Sequence, residues 1–94
     1  MNQGYMPAQY SLGRMLLLGK GTARDFEKAA AFYRLAADQG HSGAMYQLGW
    51  LHEKGCGLAL DKKQAAVWYR AALARGRLDE SAVEHATAYL AANP

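Results

Sequence analysis

The sequence predicts an all-α superhelical solenoid of two helix pairs plus a C-terminal capping helix, and three observations predict it. Residues 4–40 lie over residues 40–76 without a gap, an offset of 36 residues, with identities at Tyr10/Tyr46, Leu12/Leu48, Gly13/Gly49, Asp25/Asp61, Ala29/Ala65, Tyr33/Tyr69 and Ala36/Ala72 among others. Apolar residues in each copy recur with a 3.6-residue period. No strand-like alternation competes with it. A repeat of this length with helical patterning marks a stack of supersecondary units, none of which buries its apolar face alone.

The elements follow in chain order. A first helix is expected over 5–18, where Ala8, Leu12, Met15 and Leu16 share one face. A second over 25–38 opens at Asp25, whose carboxylate can accept from free backbone N–H groups and complements the positive helix end. Its stripe is Phe26, Ala29, Ala30, Tyr33, Ala36 and Ala37. The third, 41–54, carries Ala44, Leu48 and Leu51, and the fourth, 61–75, repeats the stripe as Ala65, Ala66, Tyr69, Ala72 and Leu73. Asp61 and Gln64 have capping-box spacing. Gly40 and Gly76 end the pairs, as residues that accept left-handed backbone past a helix. Residues 77–94 leave the pattern, with Glu80, Ala82 and Glu84 where Ala, Tyr and Leu would stand, so a helix over 79–92 reads as a cap. The chain is expected to be one domain: repeat one 4–39, repeat two 40–76, capping helix 77–94. Asn2-Gln3-Gly4 matches Asp38-Gln39-Gly40, which suggests a piece of a longer array.

Positions identical in both copies are expected to be packing positions. Leu12, Leu48, Ala29, Ala65, Ala36 and Ala72 should be buried. Gly13 and Gly49 lie inside helices, where Gly costs about 1 kcal/mol against Ala, and close helix packing is the expected return.

Leu12-Gly13, Gly19-x-Gly21, Asp25-x-x-Lys28-Ala29 and Phe32-Tyr33-Arg34-x-Ala36-Ala37-x-x-Gly40 resemble the signature of the Sel1-like repeat. Leu48-Gly49, Gly55-x-Gly57-Leu58, Asp61-x-x-Gln64-Ala65 and Trp68-Tyr69-Arg70-x-Ala72-x-x-x-Gly76 resemble it again. The resemblance implies a tetratricopeptide-like α/α solenoid that serves as an adaptor in signalling, secretion or envelope complexes. Leu16 and His52 stand where that family usually has an aromatic after Leu-Gly.

Composition narrows the alternatives. Eleven Lys and Arg against eight Asp and Glu give a net charge of +3. That leaves a basic surface for nucleic acid or anionic lipid as the alternative reading. Arg70, Arg75 and Arg77 cluster with Lys62 and Lys63 nearby, but Asp79, Glu80 and Glu84 follow at once and no nucleic-acid motif occurs, so nucleic acid is not expected as a partner. No stretch approaches the roughly 18 apolar residues of a membrane span. The start lacks signal-peptide features, so the default expectation is cytoplasmic.

No chemistry-bearing motif emerges. The lone Cys56 rules out an internal disulfide, and its turn between Gly55 and Gly57 offers no activating neighbour. Gly19-Lys20-Gly21 and Gly55-Cys56-Gly57 lack the rest of a phosphate loop and read as turns. His52 and Cys56 have i, i+4 spacing, but no further ligand joins them, and no metal or other cofactor is expected. Ser11, Ser42 and Ser81 lie in no nucleophile motif, so the chain is expected not to be an enzyme. A further alternative is a non-catalytic module of a larger enzyme or of a secretion or envelope complex.

The expected mode of action is binding of another protein or peptide along the concave face made by the first helices. Projecting outward from the packing stripe selects Tyr10, Arg14 and Leu17 in repeat one and Tyr46, Trp50 and Glu53 in repeat two. Trp50 stands where its sister repeat has Arg14, so the fold does not demand it. It is either a docking residue or a shield for the junction with the capping helix. The run Met15-Leu16-Leu17-Leu18 is apolar all round, unlike Leu51-His52-Glu53-Lys54, and suggests a contact through Leu17 or Leu18 with a second copy or an upstream repeat.

Overall fold

The computed structural model describes residues 6–21 and 23–93. The expected repeat start at Gly4 and the Asn2-Gln3-Gly4 correspondence lie outside the described residues. Five helices follow in order: α1 (Met6–Leu18), α2 (Phe26–Asp38), α3 (Ser42–Lys54), α4 (Lys62–Arg75) and α5 (Glu80–Ala92). There is no strand among the described residues. α1 packs most extensively on α2 and α3 on α4, with α2 against α3 joining the pairs and α5 closing on α4. The body measures 39 × 23 × 20 Å, elongated as a stack should be.

Asp25 and Asp61 cap their helices as the sequence indicates, and Asp79, not singled out as a cap from the sequence, caps α5 in the same way. Asp25 Oδ1 accepts from the Lys28 N–H at 3.0 Å, Asp61 Oδ1 from Lys63 and Gln64, and Asp79 Oδ1 from Ala82. α3 is capped differently: His41 Nδ1 accepts from the Ala44 N–H at 3.0 Å. That bond requires an unprotonated Nδ1. Burial lowers the His41 pKa further, against a smaller opposing backbone hydrogen bond.

The core is built from small residues around two tyrosines. Tyr33 and Tyr69 are fully buried, and Ala29, Ala36, Ala44, Ala65 and Ala72 surround them without exposed surface. Gly49 explains the close approach of α3 and α4, since a Cβ there would lie 2.6 Å from the Tyr69 ring. Gly13 stands in the same relation to Tyr33. Gly57 fixes the stacking of one pair on the next: with φ at +77°, its missing Cβ would meet the Phe26 backbone at 2.6 Å.

One packing expectation fails. Leu48 is 2% exposed but its sister Leu12 is 42% exposed, and Met15 at 41% contrasts with the fully buried Leu51. The reason is positional. α2 covers the Leu48 face of α3, whereas no described element occupies the equivalent place on α1.

Candidate functional site

Two adjoining cavities lie along α1 and α3. The first, about 430 Å³, is walled by Leu17 and Leu18 from the end of α1, Phe26 from the start of α2 and Trp50 from α3. Arg24 forms its rim, the guanidinium 5.6 Å from the Phe26 ring centre. The second, about 830 Å³, is polar and opens where α3 and α5 begin, with His41, Ser42, Arg75, Arg77 and Asp79 among its walls. Tyr46 and Gln47 line both, so the two cavities adjoin at these side chains.

Local structure positions each group. Arg75 Nε donates to the Gly40 carbonyl at 2.9 Å, which lays the guanidinium across the junction between the repeats. Arg77 follows in left-handed backbone, φ +66°, unusual for a residue with a side chain. Tyr10 stacks on His41 with ring centres 4.4 Å apart and tilts against Tyr33. Tyr46 packs near the Tyr69 and His85 rings.

Of the six residues singled out from sequence, the structure brings Leu17, Tyr46 and Trp50 together in the apolar cavity. Tyr10 lines the polar one with Tyr46. Arg14 is exposed and stands apart from both. Glu53 is committed elsewhere: its Oε1 accepts from Tyr69 Oη at 2.6 Å and from His85 Nε2 at 2.8 Å, linking α3, α4 and α5. Lys54 lies 3.6 Å from its other oxygen. Burial pushes the Glu53 pKa up, but the two hydrogen bonds and the charges of His85 and Lys54 outweigh it and hold the group below the ordinary Glu value. Trp50, like Phe26, packs against the core shared by α2 and α3 rather than against the α4–α5 cluster. Sequence reasoning missed His41 and Ser42, and it read Arg75 and Arg77 only as part of a basic cluster; all four come from helix ends and a loop outside the helical face it projected. Arg24 and Phe26 were also missed as wall residues, whereas the apolar run at 15–18 had already singled out Leu18 as a contact residue.

The other chemistry-bearing residues have structural places. His52 Nδ1 donates to the Ala59 carbonyl at 2.9 Å, bracing the α3–α4 loop, and Cys56 is half-buried against the core shared by α2 and α3. Among the described residues no three His, Cys, Asp or Glu converge as metal ligands. No helix among them is long and apolar enough to cross a membrane.

Stacked helix pairs with a continuous lined face define a helical-repeat protein. The Sel1 repeat profile matches residues 7–41 and 42–76, and the chain belongs to the Sel1-repeat family. Sel1-repeat proteins generally mediate protein–protein interaction, and the repeat is typically a non-catalytic module. Among solved structures, the chain is similar to a Sel1 repeat protein from Oxalobacter formigenes, at 36% identity over 80% of this chain and 31% of that one, with TM-score 0.76. It is also similar to c5321, a protective antigen of uropathogenic Escherichia coli strains with an SLR fold: 37% identity, 80% of this chain and 16% of that one, TM-score 0.77. Cysteine-rich protein B of Helicobacter pylori is 28% identical over 88% of this chain and 59% of its own, TM-score 0.74. The chain thus spans less than two thirds of each of these proteins. No curated protein matches it significantly.

Proposed function

We propose that the chain is a non-enzymatic scaffold or adaptor that holds a partner protein or peptide along the concave face formed by α1 and α3. The observation that carries this reading is the apolar cavity itself. Leu17, Leu18, Phe26 and Trp50 leave partly exposed apolar surface gathered in one depression, where most surface apolar residues of a folded protein are scattered. Trp is also among the side chains that dominate interface energies when desolvated. The test compares the wild-type chain with Trp50→Ala in affinity capture from the native extract, after thermal unfolding has established that the variant is folded. Loss of the captured proteins with the fold intact supports the reading. Unchanged capture rules out this face.

A second reading is favoured by a separate observation. Leu12, Met15 and Leu18 are each more than two fifths exposed on one helix. Self-association through this part of α1 would cover them.

A further inference from the structure

Resting on the α1–α3 face as the binding face, we infer that its two cavities accept one extended peptide carrying a bulky apolar side chain and, about four residues away, a carboxylate. The apolar end is the cavity of Leu17, Phe26 and Trp50. The polar end supplies anion donors from independent sources. The N–H groups of Ser42 and Gly43, at the start of the thirteen-residue α3, have no hydrogen-bond partner among the described residues. Such a helix start attracts negative charge. Ser42 is 7% exposed, and its hydroxyl, also without a partner among the described residues, lies on the cavity wall. Arg75 is held in place through Nε, and its Nη groups have no partner among the described residues. Arg77 lines the same cavity from sparsely used left-handed backbone, the kind of local outlier that clusters at binding sites.

Charge decides between anions. Arg75, Arg77 and Asp79 share the polar cavity, so its fixed charge is a single positive one. A monoanionic carboxylate matches that balance, whereas a phosphate dianion would leave the site with a net negative charge beside Asp79. Distance fixes the spacing. Ser42 and Trp50 are separated by eight steps of helix, about 12 Å at 1.5 Å per residue. An extended chain covers that in about four residues at roughly 3.3 Å each. Tyr46 and Gln47 lie between, and Gln47 offers both a donor and an acceptor to the peptide backbone.

The experiment is fluorescence anisotropy with dye-labelled peptides carrying one Phe and one carboxylate at spacings below, at and above the inferred one. One arm places the carboxylate at a free C-terminus, a second on an internal Asp with the terminus amidated, and a third omits it. We expect the matched spacing to bind about tenfold more tightly than the carboxylate-free peptide, the scale of a charge-assisted hydrogen-bond set. Comparison of the first two arms identifies the source of the carboxylate. Arg77→Asn tolerates left-handed backbone and Ser42→Ala removes only a hydroxyl; each should abolish most of that preference while leaving the carboxylate-free peptide unaffected. Equal binding with and without the carboxylate, indifference to spacing, or no binding at all overturns the inference. Should Trp50→Ala still abolish protein capture in that case, the interaction face stands and only the peptide chemistry is wrong.

Discussion

Tyr69 donates its buried hydroxyl to Glu53 at 2.6 Å, while Tyr33, its counterpart 36 residues earlier, has a buried hydroxyl with no partner among the described residues. The difference lies in one substitution between the repeats: Leu17 occupies the position that Glu53 fills in repeat two. Repeat one therefore has an apolar cavity wall where repeat two has a polar brace. Glu53→Leu should cost about 1–3 kcal/mol, since it leaves the Tyr69 hydroxyl buried and unpaired. Leu17→Glu should fall within about 1 kcal/mol of wild type, because the bond gained by Tyr33 offsets the half-buried apolar surface lost. Denaturant unfolding of the two variants checks the asymmetry.

The same carboxylate sets an acid limit. Its folded pKa lies below the ordinary value of 4.5, so as pH falls the unfolded chain takes up this proton before the folded chain does. The contribution of Glu53 is complete above pH 4.5 and is lost as pH falls through the folded pKa. Glu53→Gln keeps the side-chain shape and removes the titration. Its unfolding free energy should be flatter than that of wild type below pH 4.5 and lower than wild type at neutral pH, as read from urea midpoints across that range.

Much of the fold was legible because its determinants are local. Asp25 and Asp61 announce helix starts by side-chain chemistry, and the two in-helix glycines announce close packing by their cost. The exposure of Leu12 was not legible: it is identical to Leu48, and what differs is whether a neighbouring helix covers it. The Glu53–His85 bond joins residues 32 apart in a segment where the repeat has already lapsed, so no periodic signal predicts it. The polar cavity was invisible for a related reason. His41, Arg75 and Arg77 meet through the turn that ends each pair, while the sequence projection followed only helix faces. Tyr46 and Trp50 were within its reach because they share one face of α3.

The His41 cap gives a second pH dependence, at higher pH. Protonation of Nδ1 removes the acceptor for the Ala44 N–H, and burial already disfavours the charged ring. With the folded pKa below 6.5, the cap contributes fully above that value and is lost as pH falls through the folded pKa. His41→Asn retains an acceptor suited to this position and does not titrate. Thermal unfolding followed from neutral pH to about pH 5 should show a smaller loss of Tm for the variant than for wild type.

Gly49 tests whether helix propensity or packing governs α3. Gly49→Ala would gain up to about 1 kcal/mol of helix propensity if the site were open. Here the new methyl meets the Tyr69 ring at 2.6 Å and the Ala65 carbonyl at 3.2 Å, and the fully buried ring has little room to retreat. Overpacking should prevail, with a net loss of about 1–3 kcal/mol. For a domain of this size that is a fall in Tm of several degrees or more by calorimetry.

The exposed side of α1 makes the last prediction, and the repeat itself indicates what would cover it. Leu48 and Leu51 are buried where α2 lies against α3, with Ala29, Ala36 and Ala37 in the same core cluster. Leu12 and Met15 present the matching surface on α1 without that cover. Where they remain uncovered, contacts between copies are the way to remove this surface from water. The chain should therefore show a weight-average mass above the monomer's 10.3 kDa in light scattering as concentration rises. Leu12→Gln with Met15→Gln should return it to the monomer value with little loss of stability, because exposed residues contribute little to the core. Leu18→Glu should act in the same direction, since Leu18 is 46% exposed, whereas Leu17→Glu should have less effect on mass because Leu17 is half-buried. A mass that stays monomeric across the concentration range, or that the double variant leaves unchanged, rules out self-association through α1.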